Sequence, residues 1–287
     1  MNYAKPLAIL VVLLGSTLSA GALNDDFIVR GQKAETGEWP WQVRLLRDLD
    51  ERKGFCGGSL IAPQWVLTAA HCVHGSFTAG AIGYGSTKRA ELTSVAVAAT
   101  FKHPDYRKGP KRADIALLKL AEPIPGATTI AIAAADAERM LDAEGKPVTV
   151  TGWGALVEGK PDAATQALIE ELEPENLSQI MSEDEIKVPE ELREVEVEVV
   201  NLAGCQDVYK AEGLRVDDTE ICAGRQGTGR DSCYGDSGGP LVTRTDDGWI
   251  QLGVVSWGKT CGHPFLPGLY SRIASFRGWI DETMAEN

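Results

Sequence analysis

Short apolar runs, each cut off by glycine, proline or a polar turn, dominate this 287-residue chain. They lie at 42–46, 59–61, 65–68, 115–120, 148–151, 195–200, 241–243, 250–256 and 268–273. All are too short for an ordinary helix. Several are rich in β-branched residues, which suit a pleated, half-buried surface. Few helical periods interrupt them before residue 160. Many short strands of this kind bury their apolar faces by closing a barrel or stacking a sandwich. The segment Ser275–Met284 departs from the pattern. Phe276, Trp279, Ile280 and Met284 recur there at helical spacing, which predicts a C-terminal helix.

The first residues read as a secretory signal. Lys5 precedes the apolar run Leu7–Leu14, and Ala20-Gly21-Ala22 is an A-x-A cleavage site, so residues 1–22 are expected to be removed. That run falls short of the ~20 residues needed to span a bilayer. No later segment approaches that length, so an exported protein, extracellular or periplasmic and without a membrane partner, is expected. Export changes the meaning of Cys56, Cys72, Cys205, Cys222, Cys233 and Cys261. An even count in an oxidising compartment favours disulfides, and spacing alone leaves about 15 pairings open. Zinc is the competing use. No C-x-x-C pair exists, and His71 and His74 have H-x-x-H spacing without a further ligand cluster, so no metal site is assigned. The formal net charge of −13 argues against nucleic acid, whose phosphates call for basic patches.

Most of that charge is local. Between Glu158 and Glu198 there are fourteen acids against three bases. Ala164, Leu168 and Leu172 share one helical face, as do Leu177, Ile180 and Met181. Val195, Val197 and Val199 then alternate with Glu194, Glu196 and Glu198, the signature of a half-exposed strand. A partly helical acidic insertion, about 158–193, is expected between two strands.

Chemistry concentrates in Asp231–Leu241, DSCYGDSGGPL. Three glycines around one Ser-Asp pair suggest a hydroxyl and backbone N–H groups presented to a ligand. Gly235–Gly239 satisfies G-x-S-x-G, but the α/β-hydrolase context needs a helix after the serine and a late histidine. Here Pro240 leads an apolar strand, and His263 lies in a cysteine-containing loop. The order His71 (in WVLTAAHC), Asp114 (in ADIALL), Ser237 fits better. With these segments the chain resembles the chymotrypsin-like serine endopeptidases of the trypsin family. Matching stretches are Ile28–Gly31, Cys56–Leu60, Trp65–Cys72, Asp114–Leu118, Gly152–Gly154, Asp231–Pro240, Ser256–Gly258 and Pro267–Tyr270.

The resemblance implies two packed six-stranded antiparallel β-barrels with a C-terminal helix, residues 28–287 forming one peptidase domain and the cleft between barrels holding the site. Ser237 would be the nucleophile and His71 its base. A buried Asp114 would fix the imidazole tautomer. The backbone N–H groups of Gly235 and Ser237 would hold the oxyanion. Asp231 would sit at the base of the primary pocket, lined by Ser232, Ser256, Trp257, Gly258 and Gly268, and select Arg or Lys. Tyr234 would stand at its mouth and Lys111 near the next subsite. Asp236 would pair with the α-amino group of Ile28, released by cleavage of a propeptide at 23–27. Two departures stand out. Arg30 replaces the usual glycine. Phe27 precedes Ile28, so a protease of different specificity is implied as activator. The implied disulfides are Cys56–Cys72, Cys205–Cys222 and Cys233–Cys261. No cofactor is required. Partners would be protein or peptide substrates, the activating protease and protein inhibitors, with the enzyme itself a monomer. The rival is an inactive relative serving as a binding module, against which the intact Ser237, His71 and Asp114 argue.

Overall fold

Closure of two barrels is how this chain hides its strands. The computed structural model of the protein describes residues 31–51, 54–75, 78–108, 112–134, 143–154, 188–225, 230–233, 235–259, 261, 263 and 265–287. The expected signal, propeptide, Ile28, Lys111, Tyr234 and residues 158–187 of the acidic insertion lie outside the described residues. In the first barrel, β2 (Gln42–Leu46), β3 (Cys56–Ala62), β4 (Trp65–Thr68), β7 (Ala116–Leu120), β6 (Thr93–Lys102) and β5 (Ala81–Tyr84) close in that order. In the second, β9 (Pro147–Gly152), β10 (Arg193–Val200), β11 (Glu220–Gly224), β14 (Gly268–Arg272), β13 (Gly248–Trp257) and β12 (Pro240–Thr245) form an antiparallel ring. The two-residue β1 (Gln32–Lys33) adds to β10, and β8 (Ala131–Ile132) runs parallel to β13.

The alternation in β10 lands as its sequence dictates: Val195, Val197 and Val199 are buried in the second core, and Glu196 and Glu198 face out. Leu45, Leu67, Ile82, Leu117 and Leu118 fill the first core. Its apolar cluster continues through Val242 and Val254 to Ile273, Phe276 and Ile280, so the barrels and the last helix share one interior. That helix is α2 (Ile273–Glu286), and it begins two residues before the periodicity suggested. Ile273 therefore opens a helix rather than closing the last strand. An earlier helix, α1 (Leu202–Ala211), starts at Asn201, whose side chain accepts from the Gly204 N–H at 3.2 Å.

The three disulfides are those the resemblance implied: Cys56–Cys72, Cys205–Cys222 and Cys233–Cys261. The seam between barrels is polar as well as apolar. Thr151 donates to Gln42 Oε1 and Ser59 to Gln251 Oε1, both at 2.6 Å, and all four residues are buried. A buried donor deprived of its partner is expensive, so these bonds fix how the barrels dock. In a Ser237→Ala background, which prevents self-digestion, Leu117→Ala should lower stability by about 2–5 kcal/mol, read from guanidinium unfolding with the disulfides intact.

Candidate active site

The site is assembled across the seam. His71 opens a single helical turn, His71–Val73, just after β4. Asp114 lies two residues ahead of β7. The residue before it, Ala113, has φ 49°, the one positive value at a non-glycine among the described residues. Such a conformation costs an L-residue about 1–2 kcal/mol. It aims the next side chain inward, where Asp114 is completely buried.

Asp114 accepts from both lobes. His71 supplies its backbone N–H at 2.8 Å to Oδ1 and its ring Nδ1 at 2.7 Å to Oδ2. From the second barrel, the Ser256 hydroxyl donates to Oδ2 at 2.5 Å, and the Ser271 hydroxyl donates to the Asp114 carbonyl at 2.7 Å. Burial alone would push this carboxyl up. The His71 ring beside it, with the hydrogen bonds from His71 and Ser256, outweighs burial and holds it below the usual carboxylate range. An ionised acceptor there calls for a proton on Nδ1, which leaves Nε2 as the unprotonated ring nitrogen.

Ser237 reaches this pair through tight backbone packing. Its carbonyl accepts from Gly57 N at 2.8 Å, and Gly238 N donates to the Val255 carbonyl at 2.8 Å. The Ser237 carbonyl lies 3.5 Å from Cys72 Sγ, and His71 Nε2 lies 3.6 Å from that same sulfur. Among the described residues no hydrogen bond joins the Ser237 hydroxyl to the imidazole; such bonds are often loose before substrate arrives. Gly238 has φ 81°, and a Cβ there would sit 2.2 Å from Thr68 Oγ1 and 2.6 Å from the Gly57 carbonyl. Gly235 also has positive φ, 95°, which bends the chain ahead of the serine. Cys56, His71 and Cys72 place donor atoms within 4.8 Å of one another, but both sulfurs are tied in a disulfide and offer no thiolate to a metal.

Asp236, also fully buried, accepts from Gly154 N at 2.7 Å and Cys233 N at 2.9 Å. Burial pushes its carboxyl up to about 6 although both N–H groups and the Arg44 guanidinium pull the other way. Arg44 is an unforeseen part of this region. It is 3% exposed, donates to the Trp153 carbonyl at 3.4 Å and the Gly54 carbonyl at 3.2 Å, and lies 5.9 Å over the Trp153 ring. Its burial brings its own pKa down to about 10, with Arg89 adding and Asp236 and Glu51 opposing.

Asp231 is 5% exposed and accepts from Ser232 N at 2.8 Å. The Ser232 hydroxyl lies 3.4 Å from the Tyr270 hydroxyl. A Cβ on Gly268 would fall 2.8 Å from Asp231 Oδ1, and the space around Gly258 is open to 3.8 Å. Trp257, between Ser256 and Gly258, is half-buried. Sequence reasoning missed Ser271, Glu220 and Arg44. The available signal was a polar side chain inside a short strand that was otherwise buried.

Two antiparallel barrels, with a His–Asp pair from one facing a glycine-framed serine from the other, are the architecture of a serine endopeptidase. The Trypsin family profile matches residues 28–186 and 179–280, so the chain belongs to the trypsin family and is a serine endopeptidase. It is 35% identical over 295 residues to a tryptase of Mus musculus, covering 96% of each chain. It is 36% identical over 264 residues to an ovochymase of Halocynthia roretzi, covering 89% of this chain but 15% of that much longer one. The solved structure of mouse neuropsin, a serine protease expressed in the limbic system, superposes with a TM-score of 0.69 at 26% identity, covering 88% of this chain and 98% of the other.

A Cβ added at Gly154 would lie 2.3–2.6 Å from the Asp236 carboxyl atoms. Gly154→Ala should therefore displace Asp236 and destabilise the fold by about 1–3 kcal/mol. Its kcat/KM after processing should fall at least tenfold, as measured on a fluorogenic peptide.

Proposed function

We propose that the protein is an exported zymogen whose processed form hydrolyses peptide bonds after Arg or Lys through an acyl-enzyme. The observation that supports the specificity is a buried acid, Asp231, close to Gly268, which in turn neighbours Gly258; in this reading the two glycines wall the slot above it. Glycine on both walls leaves length for an extended side chain. A buried carboxylate at the end favours a cation, because opposite charges attract far more strongly where little water screens them.

In this reading Ser237 attacks the scissile carbonyl while His71 Nε2 takes the hydroxyl proton. Asp114 holds the ring tautomer and steadies the imidazolium. The N–H groups of Gly235 and Ser237 stabilise the tetrahedral oxygen. His71 then returns the proton to the leaving amine. Water repeats the sequence to release the acyl group. The chemistry is supplied by side chains and backbone alone, with no cofactor.

The electrostatics of Asp236 support activation by cleavage before Ile28. Its folded pKa lies above the ordinary 3.8, at about 6. Below the lower value the carboxyl is neutral in both states. As pH rises from 3.8 through 6 the unfolded chain ionises first, so the fold loses stability, by about 3 kcal/mol in all. An α-ammonium delivered beside the carboxylate recovers that energy, which would drive the new terminus inward and order the turn that carries Ser237. The three disulfides and the N-terminal signal-like segment support export. Among the described residues no helix is long and apolar enough to cross a membrane. Protein substrates, an activating protease and protein inhibitors are the partners this reading implies.

The test is processed recombinant protein on a peptide library. Cleavage should follow Arg and Lys, and Ser237→Ala should abolish it. Asp231→Ser should lower kcat/KM for Arg substrates by roughly 30-fold to several thousand-fold. Cleavage after other residues in the wild type would refute the pocket assignment, and activity in Ser237→Ala would refute the nucleophile.

A further inference from the structure

Glu220 opens β11 and is only 6% exposed. Its Oε1 accepts the indole N–H of Trp257 at 2.7 Å, and its Oε2 accepts the Asp217 N–H at 2.9 Å. Opposite it in register stands Ser271, whose hydroxyl holds the Asp114 carbonyl. A shift in pairing between Val255 and Trp257 irregularly bends β13 there. Two adjacent residues of one strand thus each meet a buried carboxylate: Ser256 meets Asp114 and Trp257 meets Glu220. The Tyr209 ring packs edge-on against Trp257, with centroids 5.3 Å apart at 70°, and the Tyr209 hydroxyl is fixed on the Pro267 carbonyl at 2.6 Å. Trp257 also lies between the residue that touches the catalytic acid and Gly258 of the specificity slot. In the reading of Asp231 and Gly258 as the specificity slot, a chain entering it would pass the neighbouring Trp257 indole.

We propose that Glu220 is a positioning residue which, by holding the Trp257 indole, sets how firmly the enzyme grips the substrate residues that precede the Arg or Lys. This rests on the reading of Trp257, Gly258 and Asp231 as the substrate site. The carboxylate presents two acceptors to two N–H donors. Protonation converts one oxygen into a donor facing a donor, so one of the two bonds is lost. The groups around Glu220 make that proton relevant. Burial pushes its carboxyl up to about 7, and the charges of Asp217 and of Asp114 push the same way against the two N–H donors. Arg112 forms an ion pair with Asp217, whose N–H Glu220 accepts. From β14, Arg272 donates to the Glu220 carbonyl oxygen at 2.9 Å. Grip should therefore loosen as pH falls through neutrality.

Two substrates separate this effect from the chemistry: a single-residue Arg amide and a tetrapeptide amide ending in Arg, with kcat and KM measured from about pH 5.5 to about pH 9. For the processed wild type, tetrapeptide KM should rise about fivefold between pH 8 and pH 6, the loss of one hydrogen bond, and the single-residue KM should stay flat. Glu220→Gln, which offers one acceptor, should show the raised tetrapeptide KM at every pH with an unchanged kcat profile. Wild-type KM values in that variant, or equal changes on both substrates, would overturn the proposal. Should the variant not fold, a wild-type tetrapeptide KM that is flat with pH overturns it equally. Trp257→Ala identifies where a failure lies. If it leaves tetrapeptide KM unaltered, or if wild type cleaves neither amide, the substrate site itself is misplaced and the proposal falls with it.

Discussion

A carboxylate with no exposure to water, Asp114, is the constraint around which this molecule is organised. Taking such a charge out of water is costly unless it is surrounded by donors. The donors come from His71 in the first barrel and from Ser256 in the second, and Ser271 secures the same residue by its backbone. Neither barrel satisfies it alone. The docking of the two lobes, the direction of the imidazole and the placement of Ser237 beside Cys72 are therefore one arrangement rather than three.

Other buried charges follow the same logic to different ends. Asp236 has two N–H groups and the nearby Arg44, too little to bring its pKa back to normal. Glu220 has two N–H groups and acidic neighbours, and it stays near neutrality. Asp114, with a histidine in contact, is kept ionised. Of three buried carboxylates, burial thus raises two, and the one with a histidine in contact is lowered.

The nine apolar runs all became strands, and the order His71, Asp114, Ser237 identified the family, because both signals are local in the chain. What escaped was held by non-local packing. β6, the longest first-barrel strand, reads Thr-Ser-Val-Ala-Val-Ala-Ala-Thr-Phe-Lys, and most of it is half-buried or exposed. Its small side chains gave no strong alternation. β5 is only four residues long and includes Gly83, which stands against Leu92. β11 begins with a glutamate that ordinary hydropathy places at the surface. Arg44 is buried although charged, because Gly54 leaves room for its stem. One carbonyl it meets, that of Trp153, is 109 residues away in sequence.

The split origin of the Asp114 environment also has a temporal side. His71 and Asp114 leave the ribosome well before Ser237, Ser256 and Ser271. Through most of its synthesis the chain holds His71 and Asp114 without the hydroxyls that complete their surroundings. Half of the donors to Asp114 thus arrive only with the last strands of the second barrel.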